Sequence, residues 1–241
     1  HGPLYIQGRG SLHGSTHDLA VASAQVKSAI LLAGLYADGT VTVRLPGPAR
    51  DHTERMLLAQ VELGHGGQEF LTYDTVSASL DPSAISRILP LECTVPGDFS
   101  SAAFLMAVGA CVPGAEVKVT VVGTNLTRIG FLDVLRWMGA DTTLTEAHEE
   151  GGEPVADITV RGSELKGVTI GGDDVVRMID EFPILAVVAT QAAGRTVVRD
   201  AAELRVKESD RIASVVGELR KLGAAIEPRD DGFVVEGPTT L

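Results

Sequence analysis

Aromatic side chains are scarce in this chain. They make up 4% of its 241 residues, with one tryptophan and three tyrosines. A surface that binds nucleic acid needs rings for base stacking, and few are available here. Basic residues are also in the minority, with 20 Lys and Arg against 32 Asp and Glu and a net charge of −12. A phosphate backbone needs the opposite balance, so no nucleic-acid partner is expected. The only cysteines, Cys93 and Cys111, are too few for a disulfide framework and lack the spacing of a metal site. Both sit in apolar stretches and read as small buried hydrophobes. No apolar run reaches the roughly 18 residues that cross a bilayer, so no membrane partner is expected. The first ten residues have no signal-peptide pattern. The expectation is a reducing, cytoplasmic setting. His13 and His17 are four residues apart without a third ligand nearby, so no metal is expected. No Ser-His-Asp or Cys-His pairing follows from spacing.

What the chain has is aliphatic residues and repetition. The apolar fraction is 44%, enough at this length for one large core or two small ones. Residues 23–64, 97–139 and 179–223 share one plan. Each opens on an Ala-rich apolar helix: SAILLAGLYA, SAAFLMAVGACV or FPILAVVATQAA. A turn with Gly39, Gly114 or Gly194 follows, then a Val-rich strand, a polar loop and a second, amphipathic helix. That helix is expected to end at Gly64, Gly139 or Gly223, where glycine suits a left-handed C-cap. Those glycines lie 75 and 84 residues apart, a period that fits a supersecondary unit used several times rather than a solenoid. Alternating stretches such as ADTTLTE, ADITVRG and GFVVEG then read as half-buried strands. The unit is β-α-β-α-β-β. A helix apolar on all sides belongs inside, so the three first helices predict a helical core with sheets outside it, an α/β architecture. Trp137 reads as core, and His148–Asp157 as an exposed hairpin or loop. Cys93–Ser101, with its Pro96-Gly97 turn, reads as the boundary between two lobes, and Asp98 or Ser100 as the cap of the next helix.

Helix starts present unpaired N–H groups and the positive end of a dipole, so anions are expected at the loop-to-helix junctions. ASAQVKS offers Ser23, Gln25 and Lys27, although Ser23 reads equally well as an ordinary N-cap. In ARDHTER, Arg50 either grips a carboxylate or phosphate or decorates a capped helix start. RMIDEFP sets Asp180 and Glu181 before an apolar helix with Pro183 in its first turn, which is also an N-cap pattern. ELRVKESDR is densest in charge, with Glu203, Glu208 and Asp210 interleaved with Arg205, Lys207 and Arg211. If a helix begins near Lys207 or Glu208, then Lys207 and Arg211 share a face with Glu208 beside them. Two cations there suit a substrate carrying phosphate and carboxylate. A carboxylate between cations is favoured in its ionised form and can exchange a proton. A surface ion-pair ladder would have the same sequence.

In order along the chain, SAQVKSAILLAGLYADG, RDHTERML, GDFSSAAFLMA, MIDEFPILAVVA and LRVKESDRI together resemble the 5-enolpyruvylshikimate-3-phosphate (EPSP) synthase family. The closest likeness is to the bacterial class with Ala after Ser in SAQ. The likeness runs from about residue 4 to the end. RVKESDR separates this family from its fold relative, UDP-N-acetylglucosamine enolpyruvyl transferase, which lacks that string. The resemblance implies an inside-out α/β barrel pair, with repeated β-α-β-α-β-β units, buried helices and substrates between two lobes of three units. Three of the six units are present here. Residues 4–95 would be one unit of the N-terminal lobe and 97–241 two units of the C-terminal lobe, with a hinge near 94–98. The resemblance implies that Ser23, Ala24 (through its backbone N–H), Gln25, Arg50 and Lys207 hold shikimate 3-phosphate. Asp180 would bind its hydroxyls and take the proton from the 5-hydroxyl. Glu208 would transfer a proton at the enolpyruvyl methylene, with Lys207 nearby. Arg211, with Lys207, would bind phosphoenolpyruvate. No metal or organic cofactor is implied.

Several family motifs do not occur in these residues. They are an early lysine segment, an Asn-Ala-Gly-Thr loop with its following arginine, and a late Asn-Asp-His-Arg motif with its lysine. In the family they complete the phosphoenolpyruvate site and the glyphosate site. These 241 residues are therefore expected to carry half of a site. Three readings stay open: a synthase fragment, a non-catalytic anion-binding module of the same descent, and a split enzyme whose partner is a second chain supplying the missing units. A lone unit at 4–95 is expected to expose its apolar helix, residues 25–37.

Overall fold

The computed structural model describes residues 3, 5–8, 10–64 and 69–239. Leu4 and Leu241, where the family likeness begins and ends, lie outside them. The chain divides into two compact units, residues 1–93 and 94–241.

The first unit runs β1 (Ser15–Asp18), α1 (Ala24–Gly34), β2 (Val41–Arg44), α2 (His52–Gln60), β3 (Val61–Leu63), β4 (Leu71–Tyr73), β5 (Ser77–Leu80) and β6 (Ile85–Ile88). Four strands form a sheet in the order β1-β2-β5-β4, with β1 and β2 parallel and the other pairs antiparallel. A parallel pair needs a crossover, and α1 supplies it. α1 buries Lys27, Leu31 and Gly34. Leu31 joins a core of Val43, Leu57, Phe70, Leu71, Ala78 and Leu80. The other side of α1 exposes Val26 and Leu32, as expected of a lone unit. The second helix does not reach Gly64. It stops at Gln60 because residues 61–63 leave it to pair with β6, and the Gly64 N–H continues that pairing by donating to the Ala84 carbonyl at 2.8 Å.

The second unit begins with α3 (Phe99–Cys111), β7 (Glu116–Gly123), α4 (Gly130–Trp137), β8 (Asp141–Glu150) and β9 (Glu153–Arg161). It continues with β10 (Thr169–Ile170), α5 (Asp173–Arg177), α6 (Phe182–Gln191), β11 (Gly194–Val198), α7 (Arg211–Lys221), β12 (Ala225–Arg229) and β13 (Gly232–Gly237). Its sheets are ordered β7-β9-β8 and β10-β11-β13-β12. The second sheet repeats the connectivity of the first unit, with a parallel β10–β11 pair and antiparallel neighbours. In the middle copy the leading strand shrinks to one parallel bridge between Gly97 and Val122. Pro96 has no N–H for a ladder, and Asp98 already turns to cap α3 by accepting from Ser101 N at 2.7 Å. His148–Asp157 forms a hairpin whose turn, Gly151-Gly152, has φ of 59° and 86°. Gly139 and Gly223 end α4 and α7 at φ of 99° and 97°, the left-handed C-cap read from the sequence.

α3 and α6 pack on each other within one core that also takes in α4 and α7. Phe182 of α6 meets Phe233 of β13 edge to face at 6.4 Å. α6 is buried as expected. α3 is not, since Phe104, Leu105 and Val108 are exposed. It meets α6 on one side and β7 and β9 on another, which leaves its remaining face open. Trp137 is 51% exposed rather than core. Phe131, Leu135 and Met138 set the buried face of α4, and Trp137 falls outside that arc. Both cysteines are half-buried, not fully buried, and burial pushes the Cys111 thiol up to about 11. Among the described residues no helix is long and apolar enough to cross a membrane.

Gly109 shows how closely α3 approaches its sheet. A Cβ there would stand 2.8 Å from the Val160 carbonyl oxygen and 3.1 Å from the Val117 Cβ. Helix propensity favours alanine over glycine by about 1 kcal/mol, while overpacking costs about 1–3 kcal/mol. Backbone cannot yield as a flexible side chain does, so the clash wins. Gly109→Ala is expected to lower the urea midpoint of the 94–241 unit. An unchanged or raised midpoint would contradict this packing.

Candidate active site

Four helix starts of the second unit are joined by side chains. Asp180 stands just before Glu181, the N-cap of α6, and Pro183 fixes that start. Asp180 Oδ2 accepts from Arg128 Nη1 at 3.2 Å, and its Oδ1 accepts from Arg211 Nη1 at 3.2 Å. Arg128 lies in the loop before α4. Arg211 is the first residue of α7 because Asp210 caps that helix, accepting from Ala213 N at 2.9 Å. Arg211 also forks onto Glu208, Nε to Oε1 at 2.9 Å and Nη2 to Oε2 at 3.1 Å, a bidentate charge-assisted pair. The Arg211 hydrogen bond holds the exposed Glu208 carboxyl below its ordinary range.

The inner end of the cluster is closed. Arg128 is 9% exposed and Glu181 is 1% exposed. Arg128 Nη2 donates to Ser100 Oγ at 2.6 Å, and Ser100 donates to Glu181 Oε1 at 2.5 Å. Arg128 Nη2 is also 3.6 Å from the same Glu181 oxygen. Although Glu181 occupies the N-cap position of α6, its side chain makes no capping bond.

Lys207 is paired outside this network. Residues 206–209 stay outside α7, so Lys207 and Arg211 share no helical face, and the Lys207 ammonium pairs with Glu203. The reason is Asp210, whose side chain makes a better N-cap than Lys207 or Glu208.

In the first unit, Ser23 caps α1, with Oγ accepting from Val26 N at 3.3 Å. Ala24 and Gln25 take the first two helical positions, whose N–H groups have no partner within the helix. Lys27 turns inward. It is fully buried, with Nζ 2.5 Å from Glu54 Oε1, and it donates to the Arg50 carbonyl at 2.9 Å. Ser28 and Thr53 share a hydrogen bond of 2.6 Å. These contacts fasten the Arg50 loop and the start of α2 to the first turns of α1. Among the described residues no group of three or more His, Cys, Asp or Glu side chains is placed to hold a metal ion.

Sequence reasoning missed Arg128, the inward role of Ser100 and Glu181, and the Lys27–Glu54 pair. The repeat held a signal for the first. Arg50, Arg128 and Arg211 each stand at or within two residues of the start of a second helix, α2, α4 and α7. Aligning the three segments picks out Arg128 by position.

A family model described as EPSP synthase (3-phosphoshikimate 1-carboxyvinyltransferase) matches residues 1–241. The chain is 51% identical over 242 residues to 3-phosphoshikimate 1-carboxyvinyltransferase of Syntrophotalea carbinolica, covering 99% of itself and 53% of that protein. It is 50% identical to the Bacillus subtilis protein of the same name, covering 54% of it. The chain therefore spans about half the length of the curated relatives it matches. The solved EPSP synthase from Acinetobacter baumannii superposes with a TM-score of 0.85 at 45% identity, over 95% of this chain and 49% of that one. The enolpyruvyl transferase NikO from Streptomyces tendae matches at a TM-score of 0.64 and 17% identity, over 95% of this chain and 52% of that one, a likeness of fold.

Lys27 and Glu54 give the clearest test of how the Arg50 loop is held. Removing one member of a buried ion pair strands the other and costs about 3–5 kcal/mol, whereas replacing both with apolar residues is often near neutral. Lys27→Met is therefore expected to destabilise the 1–93 unit strongly in urea unfolding. Lys27→Met with Glu54→Met should recover most of the loss. Equal losses in the single and double variants would rule out the pairing.

Proposed function

The chain belongs to the EPSP synthase family, and on that premise we propose that it carries half of an active site for enolpyruvyl transfer. The donor is phosphoenolpyruvate and the acceptor the 5-hydroxyl of shikimate 3-phosphate, with phosphate as the second product. The observation that carries this reading is the Asp180 carboxylate held between Arg128 and Arg211, with Glu208 on the far side of Arg211.

The first step joins the 5-hydroxyl oxygen to carbon 2 of phosphoenolpyruvate. Asp180 takes the hydroxyl proton, and the methylene carbon receives a proton from Glu208, giving a tetrahedral adduct. In the second step the bond from carbon 2 to the phosphate oxygen breaks, and the departing phosphate takes the proton that Asp180 had accepted. Glu208, again a carboxylate, removes a proton from the new methyl group, and the double bond re-forms. The Arg211 contact favours ionised Glu208 in the resting site, which suits the second step. For the first step Glu208 must be protonated, and this becomes easier once the phosphoenolpyruvate carboxylate competes with Glu208 for Arg211 Nε and Nη2, while Nη1 stays on Asp180. Arg211 and Lys207 bind that donor. Ser23, the Ala24 N–H, Gln25, Arg50 and Lys207 hold shikimate 3-phosphate, with its phosphate at the start of α1. Residues 4–95 belong to the N-terminal lobe and 97–241 to the C-terminal lobe, with the hinge near 94–98. A cytoplasmic setting goes with soluble anionic substrates.

The exposed apolar faces of α1 and α3 favour a chain that works together with further units. Charge-assisted hydrogen bonds are worth about 1.5–3 kcal/mol each, and several that the family supplies lie in the absent motifs. A polypeptide of these 241 residues is thus expected to release no phosphate by itself. Mixed with a polypeptide covering the remaining half of a relative, it should gain turnover. Asp180→Asn should then lower that rate by about a hundredfold or more. Full turnover by the chain alone would sink the half-site reading. Binding of shikimate 3-phosphate with no turnover in the mixture would point instead to a binding module.

A further inference from the structure

We propose that Arg128 is the positioning residue of this site, fixing where the Asp180 carboxylate points, and that Ser100 and Glu181 hold Arg128 for that task. The inference rests on the enolpyruvyl-transfer reading of Asp180 and adds to it a residue outside the resemblance-based set.

The geometry runs in one direction. A guanidinium only donates, and an ionised carboxylate only accepts. Ser100, between Arg128 and Glu181, must therefore accept from the first and donate to the second, as its distances of 2.6 and 2.5 Å allow. Its single proton is committed. Arg128 thus cannot swing toward solvent without breaking both hydrogen bonds of Ser100 at the start of α3. Its other nitrogen, Nη1, meets Asp180 Oδ2 at 3.2 Å. The planar fork converts a fixed Nη2 into a fixed Nη1, and so into a fixed carboxylate plane. Arg211 holds the opposite oxygen from α7. With both oxygens pinned from different helices, Asp180 loses most of its torsional freedom before any substrate arrives, which is what preorganisation requires.

An alternative role is that of a mere counter-ion for buried Glu181. The two roles predict different outcomes. A lysine would keep the charge, but one ammonium cannot reproduce a fork that reaches Ser100 and Asp180 at once. Among the described residues the charged groups around Asp180 include Arg128, Arg211 and, beyond Arg211, Glu208. Around Arg128 they are Asp180, Glu181 and Asp98.

The test uses the full chain labelled with carboxyl-13C aspartate, and Asp180→Asn assigns the resonance. Wild type, Arg128→Lys and Arg128→Met are titrated by NMR, with circular dichroism to confirm folding. The Asp180 midpoint is expected to rise by about 1 unit or more in Arg128→Met. In Arg128→Lys it should recover only part of the way. A midpoint within error of wild type in a folded Arg128→Met chain overturns the proposal. If that variant does not fold, Arg128→Lys decides alone, and a wild-type midpoint there overturns it. In the reconstituted mixture, Arg128→Lys should lower kcat by about a hundredfold with KM for shikimate 3-phosphate little changed. Wild-type kcat in Arg128→Lys likewise overturns the proposal. A mixture in which the wild-type chain gives no turnover defeats the functional reading, and the NMR titration still decides the role of Arg128.

Discussion

A carboxylate pinned at both oxygens is the constraint around which the second unit is arranged. Asp180 meets Arg128 and Arg211, which arrive from the starts of two helices distant in sequence. Neither arginine could sit there if its helix began one turn later or earlier. The start of α7 is set by Asp210, that of α6 by Pro183 and that of α3 by Asp98. For Arg211, the first residue of α7, local capping chemistry therefore decides a long-range contact. Helix ends are where a chain can gather charge and unpaired donors without disturbing an apolar core, and this unit gathers four of them.

The repeat explains why the ends converge. Each copy of the β-α-β-α-β-β plan places its second helix after a strand of the sheet, and each copy puts an arginine at or just before that helix. Arg50, Arg128 and Arg211 occupy corresponding places, and their surroundings differ. Arg50 has its backbone fastened by a buried lysine, Arg128 is locked by a half-buried serine and a buried glutamate, and Arg211 reaches an exposed glutamate. One inherited position thus serves as a fastened loop, a brace and a movable clamp.

Much of the fold was legible, because apolar periodicity and glycine placement report on local geometry. The three apolar helices, the paired strands after each second helix and the glycine caps at Gly139 and Gly223 all follow from such signals. What failed depended on partners that no local pattern specifies. Gly64 read as a cap, but β3 leaves the helix early to meet β6, a pairing 20-odd residues away. Trp137 read as core because it was placed on the apolar face of α4, but the buried arc runs through Phe131, Leu135 and Met138 and leaves it 51% exposed. α3 read as buried because an all-apolar helix normally is, and its exposed face shows that composition reports what a helix would bury rather than what the chain supplies. Asp180, Glu208 and Arg211, singled out in the sequence, lie in one hydrogen-bonded cluster, and Arg128, which joins them there, carried no such signal. A lone arginine in a polar loop carries no sign of burial, and its 9% exposure goes with contacts to Ser100 of α3 and Glu181 at the start of α6.

Burial also sorts the cations by what they can do. In a chain of net charge −12 cations face abundant carboxylates. Lys27 is paired with Glu54 and Arg128 with Glu181, and both acidic partners are sealed from solvent. No incoming anion can displace those partners, because a freed buried carboxylate would have nowhere to be solvated. Lys207 and Arg211 are paired instead with Glu203 and Glu208, whose side chains are 60% and 67% exposed. These partners can swing into water at little cost, so an arriving phosphate or carboxylate can take their place. The same ion pairing is structural in one pair of sites and exchangeable in the other, and solvent access alone makes the difference. Exposed pairs are therefore open to exchange with an incoming anion, and sealed pairs hold their own elements in place.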